Sequence, residues 1–123
     1  MERHPFKHGF GEAAWEAAKE EARQLMYGAA RKRSLISYSE LVSRITQVQM
    51  EARDTRLDHF LGEIAREDDQ AGLGLSTVVV VHKTGDQMPG PGFFDMAEEQ
   101  GRDVSDPVGC WMQELNSVYG RWG

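Results

Sequence analysis

The chain has 123 residues, of which 40% are hydrophobic and 28% charged, with 14 basic against 20 acidic side chains for a net charge of −6. That length supports one core and excludes two full ones. The single cysteine excludes an internal disulfide, and no stretch approaches the roughly 18 apolar residues of a membrane span. The N-terminus, MERHPFKHGF, lacks the apolar run of a secretion signal, so the expectation is a cytoplasmic protein in a reducing compartment.

Residues 1–11 carry Pro5, Gly9 and Gly11 without periodicity and read as a flexible arm, leaving 12–123 as a single domain. From Glu12 to about Lys32, Trp15, Ala18, Ala22, Leu25 and Ala29 recur at steps of three and four, which predicts a helix with one apolar face. Acid crowds its early turns and Arg31-Lys32-Arg33 closes it, matching the helix dipole. After the short link Leu35-Ile36, Ser37 and Glu40 have capping-box spacing, and Leu41, Val42, Ile45 and Val48 predict the buried stripe of a second helix. A third helix starts near Asp54, with Leu57, Phe60, Leu61, Ile64 and Ala65 inward and Gly72 as a left-handed terminator. Leu75 to His82, with four consecutive valines, predicts one main strand buried on both faces. Pro89-Gly90-Pro91-Gly92 predicts an irregular loop, Phe93 to Ala97 a short helix ended by Gly101, and Asp106-Pro107 the start of a last helix. That last helix carries Val108, Trp111, Met112, Leu115, Val118 or Tyr119, and Trp122 on one face. The fold class is therefore α+β and mostly helical, with added C-terminal helices.

The order helix, link, helix, helix, strand, turn is that of a winged helix-turn-helix, in which the link pairs with the strand. Ile36-Ser-Tyr38-Ser-Glu-Leu41-Val, His59-Phe-Leu61-Gly62-Glu-Ile64 and Val78-Val-Val-Val81 before a Thr-Gly turn resemble the winged-helix core of alkyltransferase-like DNA-repair proteins, over roughly residues 34–86. The resemblance implies a Pro-Cys-His-Arg motif on the strand, but the matching stretch is Ser76-Thr77-Val78-Val79. The family's base-displacing arginine would fall near His59, and Cys110 is in the last helix. Alkyl transfer lacks its thiol. VVVVHKTGDQMPGPGFF with GRDVSDP and WMQEL is also similar to a group of small bacterial proteins without an assigned activity, which implies a self-standing bacterial protein.

Charge by segment grades the DNA-binding alternative. Residues 1–34 hold 7 basic and 5 acidic side chains, residues 35–72 hold 4 and 8, and residues 73–123 hold 3 and 7. Acid is concentrated where a winged helix would meet phosphates, leaving Arg31, Lys32, Arg33, Arg53, Arg56 and Lys83 as the candidate nucleic-acid contacts. His59 and Glu63 share a helix face, with His82 as a third candidate for metal or acid–base chemistry, and His4 and His8 lie in the arm. Zinc spacing is absent, and ordinary surface charge is the favoured account. Gly85, Gly90, Gly92 and Phe93 form a candidate ligand or docking loop, although prolines remove amides that an anion would use. No motif calls for a metal or cofactor, and no catalytic residue is assigned. The helices bearing Trp15 and Trp111/Trp122 pack on each other or offer a partner surface. The expectation is a non-enzymatic interaction or regulatory protein working through a protein partner or as a homodimer; the alternative is a winged-helix DNA-binding protein.

Overall fold

The computed structural model describes residues 6–7, 10–52, 54–82 and 88–122; Arg53, Lys83, Gly85, His4 and His8 lie outside them. The fold is α+β and helices dominate it. A short antiparallel pair, β1 (Phe6–Lys7) and β2 (Phe10–Gly11), occupies part of the segment read as an arm and leads into α1 (Glu12–Arg31). There follow β3 (Ile36–Ser37), α2 (Tyr38–Arg44), α3 (Thr55–Gln70), a 3-10 turn (Ser76–Val79), β4 (Val80–Val81), α4 (Pro91–Glu99) and α5 (Pro107–Trp122). β3 and β4 pair in parallel, Ile36 opposite Val80 and Ser37 opposite Val81.

The valine run sits at the centre, against α1, α3 and α5, and Leu75 to Val81 are all buried. Burial on every side is as the sequence requires, but the expected strand is reduced to Val80–Val81. β3 offers only two residues for pairing, so residues 76–79 close their own hydrogen bonds as a 3-10 turn, with the Val78 amide donating to the Leu75 carbonyl at 3.0 Å. Fully buried Trp15, Phe60, Leu57, Ile64 and Leu41 surround that turn, each contributing roughly 1.5–3 kcal/mol by leaving water.

The second helix is also shorter than its stripe. It ends at Arg44, and Ile45, in extended backbone, and Val48, in a bend, are buried from the connecting chain instead. The Glu21 carboxylate on α1 accepts from the Thr46 and Gln47 amides, at 3.0 and 3.1 Å, and from Thr46 Oγ1, taking hydrogen bonds that helix would have made. Ser37 caps α2 through the Glu40 amide (3.1 Å), but the Glu40 carboxylate turns to Arg44 rather than back to the cap. Asp54 caps α3, Gly72 and Gly101 take positive φ at the ends of α3 and α4, and α4 begins at Pro91.

The two tryptophan-bearing helices pack on each other. Trp122 stacks on Tyr27 with ring centroids 4.1 Å apart, and the Tyr119 hydroxyl donates to the Ser34 carbonyl at 2.9 Å. Trp111 Nε1 donates to the Val78 carbonyl. This rotates α5 away from the expected face: Cys110, Leu115, Val118 and Tyr119 are buried, while Val108 and Met112 are exposed.

Candidate functional site

Three places gather the side chains that could carry function. The first is a small cavity beneath the Pro-Gly loop, lined by Tyr38, Asp58, Thr77, Gly92, Phe93 and Met96 among others. Its free volume of about 20 Å³ holds a single water. Thr77, which the alkyltransferase resemblance sets opposite a cysteine, is 5% exposed. The loop is folded onto this floor: the Gly90 amide donates to the Tyr38 hydroxyl oxygen at 2.8 Å, and a Cβ on Gly92 would come within 3.1 Å of Asp58 Oδ1. Burial pushes the Tyr38 phenol up, although the Gly90 amide pulls the other way. Phe93 is buried, so the described part of the candidate loop serves packing: it spends an amide on Tyr38 and seats a phenyl ring.

The second is the exposed side of α3. His59 faces a shallow cleft beside Arg66, Asp95 and Glu99, and Arg66 pairs with Glu99. Glu63 turns inward, accepting from Trp15 Nε1 at 3.1 Å and from Lys19 Nζ at 3.2 Å. The structure therefore does not unite His59, Glu63 and His82; the His82 ring lies 5.1 Å from that of Tyr38. No group of three His, Cys, Asp or Glu that could hold a metal ion occurs among the described residues. Cys110 is buried, and desolvation, then the charge of Glu114, push its thiol up, away from the thiolate a nucleophile needs.

The third emerges from how the cations are paired. Lys19, 1% exposed, holds Glu16, Glu63 and Glu67, and Arg23 holds Glu20, Glu67 and Asp68. Burial alone would lower the Lys19 pKa, but the hydrogen bonds it donates to the three glutamates outweigh it and raise it. Arg44 pairs with Glu40, Arg66 with Glu99, and Arg102 with Asp69 and Glu114. Arg56 is bound by Asp54 at 2.6 Å and lies 4.5 Å from the centroid of the Phe10 ring. The cation at the start of α3, where a recognition helix would meet phosphate, is thus already engaged.

Arg31, Lys32, Arg33 and Arg121 have no ion-pair partner among the described residues, and all four lie at the C-terminal ends of α1 and α5. Two of their guanidinium groups are held over rings: Arg31 at 5.5 Å from the Trp122 centroid and Arg33 at 5.9 Å from that of Tyr119. Arg33 takes φ 50, the one positive-φ non-glycine among the described residues. It occupies the left-handed position of a Schellman close, with the Ser34 amide on the Ala29 carbonyl and the Arg33 amide on Ala30. Glycine is the ordinary residue there, and a side chain costs about 1–2 kcal/mol. Next to this end is a cleft of about 250 Å³ lined by Leu25, Gly28, Lys32, Leu35, Glu40 and Arg44, among others.

The candidate phosphate contacts are consequently not one surface. Arg31, Lys32 and Arg33 sit at one end of α1 and Arg56 at the other, beside Phe10, separated by a 20-residue helix about 30 Å long. No protein-family description, no curated protein and no solved structure matches the chain. Sequence reasoning found Arg31-Lys32-Arg33 but missed Arg121 and the cleft. Arg121 is brought there only by the packing of α5 on α1, a contact foreshadowed by the two aromatic stripes.

Proposed function

We propose that the protein is a non-enzymatic interaction or regulatory protein of the cytoplasm, working through protein contacts made at the basic end of α1 and α5. The sorting of the cations supports this reading. Six described cations are neutralised by carboxylates, while four gather at one end, outside any pair, on a molecule of net charge −6. Charge left uncompensated on one face steers and orients a partner of opposite sign.

A winged-helix DNA-binding reading stands second. It draws support from the element order and from the pairing of β3 with β4, and it is weakened by the engagement of Arg56. Native co-purification followed by sedimentation tests the first reading. A defined complex, lost in the triple variant Arg31→Gln, Lys32→Gln, Arg33→Gln with unchanged circular dichroism, is the expected result. A strictly monomeric wild type with no specific companion overturns it. A salt-sensitive DNA mobility shift abolished by Arg56→Glu would transfer the assignment to the second reading.

A further inference from the structure

The cleft beside the basic end has a chemistry of its own. Leu25, half-buried, and Leu35, 39% exposed, give it an apolar patch inside a lining that is otherwise mostly polar. Gly28 leaves the middle open, since a Cβ built there meets no atom within 4 Å. Lys32 and Arg44 line it, and Glu40, the only lining carboxylate among the described residues, is tied to Arg44 at 3.6 Å. Arg31, Arg33 and Arg121 continue the positive surface around the helix end.

We propose that this cleft takes an acidic protein segment anchored by one aliphatic side chain, its carboxylates resting on Lys32, Arg31, Arg33 and Arg121. The inference rests on the reading of the protein as an interaction module and names the chemistry of its partner. An aliphatic anchor covers Leu25 and Leu35, and the flanking carboxylates meet cations that no carboxylate among the described residues neutralises. A guanidinium presents a planar fork of donors, which matches the two oxygens of a carboxylate. The dipoles of α1 and α5, which both end here, oppose an anion by about half a charge each, which four cations outweigh.

Nucleic acid fits the same place less well. It brings no aliphatic side chain to the apolar patch, and stacking bases need bare rings. Trp122 carries Tyr27 and Arg31 against its ring, and Tyr119 carries Arg33. A duplex that spreads over roughly 1,000 Å² would also reach past four cations onto acidic surface.

The test is fluorescence anisotropy with a labelled peptide of aspartates and glutamates around a central leucine, against the intact protein. Binding should weaken about tenfold or more when the leucine is replaced by serine, and likewise in Gly28→Leu, which fills the cleft without touching a charge and replaces glycine by a better helix former. Lys32→Gln with Arg33→Gln should weaken it as far, and Met112→Gln, on the exposed side of α5, should leave it unchanged. Absence of peptide binding to the wild type overturns the inference, as does binding indifferent to Gly28→Leu, or a duplex competing more strongly than the peptide. If a native complex survives Gly28→Leu but not the triple basic-end variant, the cleft assignment fails while the interaction reading stands. If no complex forms at all, that reading fails first.

Discussion

Asp68 is 3% exposed and accepts from three donors, Arg23 Nε at 3.0 Å, the Tyr27 hydroxyl at 2.7 Å and Ser76 Oγ at 2.6 Å. One carboxylate therefore fixes α1, α3 and the central turn against each other. Replacing a buried charge pair by apolar groups is often neutral, but removing one partner strands the others. Asp68→Ala should lower the unfolding free energy by about 3–5 kcal/mol and Asp68→Asn by less, since the amide oxygen still accepts. Urea denaturation monitored by circular dichroism checks this, and a loss under 1 kcal/mol for Asp68→Ala would remove the network from the fold's essentials. Little of this was legible in the sequence, because an amphipathic reading sends charges to solvent. The signal was nevertheless present: Lys19 lies four residues after Trp15 and four before Arg23, and Glu63 and Glu67 repeat the same step on α3. Two opposed ladders of opposite sign, one of them on an apolar face, mark a buried seam rather than two wet surfaces.

Helix starts and stops were the most readable elements. Ser37, Asp54 and Asp106 cap helices where their spacing predicts, because each cap is a contact between near neighbours in the chain. The two misread elements depend on distant partners. The valine run became a 3-10 turn for want of a longer neighbouring strand, and α2 stopped at Arg44 where Glu21, 25 residues away, takes the Thr46 amide. Glycine positions separate local from tertiary demand in the same way. Gly72 sits at φ 82, where a Cβ strains the backbone whatever room surrounds it, so Gly72→Ala should cost about 1 kcal/mol. Gly28 lies inside α1 with open space at its Cβ, so Gly28→Ala should add about 0.5–1 kcal/mol. Opposite signs in thermal melts of the two variants are the expected outcome, and equal signs would contradict the assigned end of α3 or interior of α1.

At the scale of the molecule, net charge by segment pointed away from nucleic acid but could not say which charges were spent, since pairing joins α1 to α3, α3 to α5 and α3 to α4 across the sequence. Protonation behaviour is likewise a property of the assembled core. The three tyrosines, Tyr27, Tyr38 and Tyr119, all have their phenols pushed above the ordinary value by burial, Tyr27 further by its hydrogen bond to Asp68. A phenol whose folded pKa exceeds the unfolded value of about 10 holds its proton longer when folded, so above that pH the folded state binds more protons and stability falls as pH rises. Each fully linked tyrosine contributes a slope of about 1.4 kcal/mol per pH unit. Lys19, its pKa also raised, acts in the same direction once its unfolded value is passed. Phenolate absorbance should therefore lag the ordinary tyrosine titration and then rise together with loss of helical circular dichroism. Tyr27→Phe should move that transition to higher pH, relative to its own stability at neutral pH. Three phenols titrating near pH 10 with the helices intact would contradict the burial of Tyr27 and Tyr119, and with it the docking of α5 on α1 that assembles the basic end.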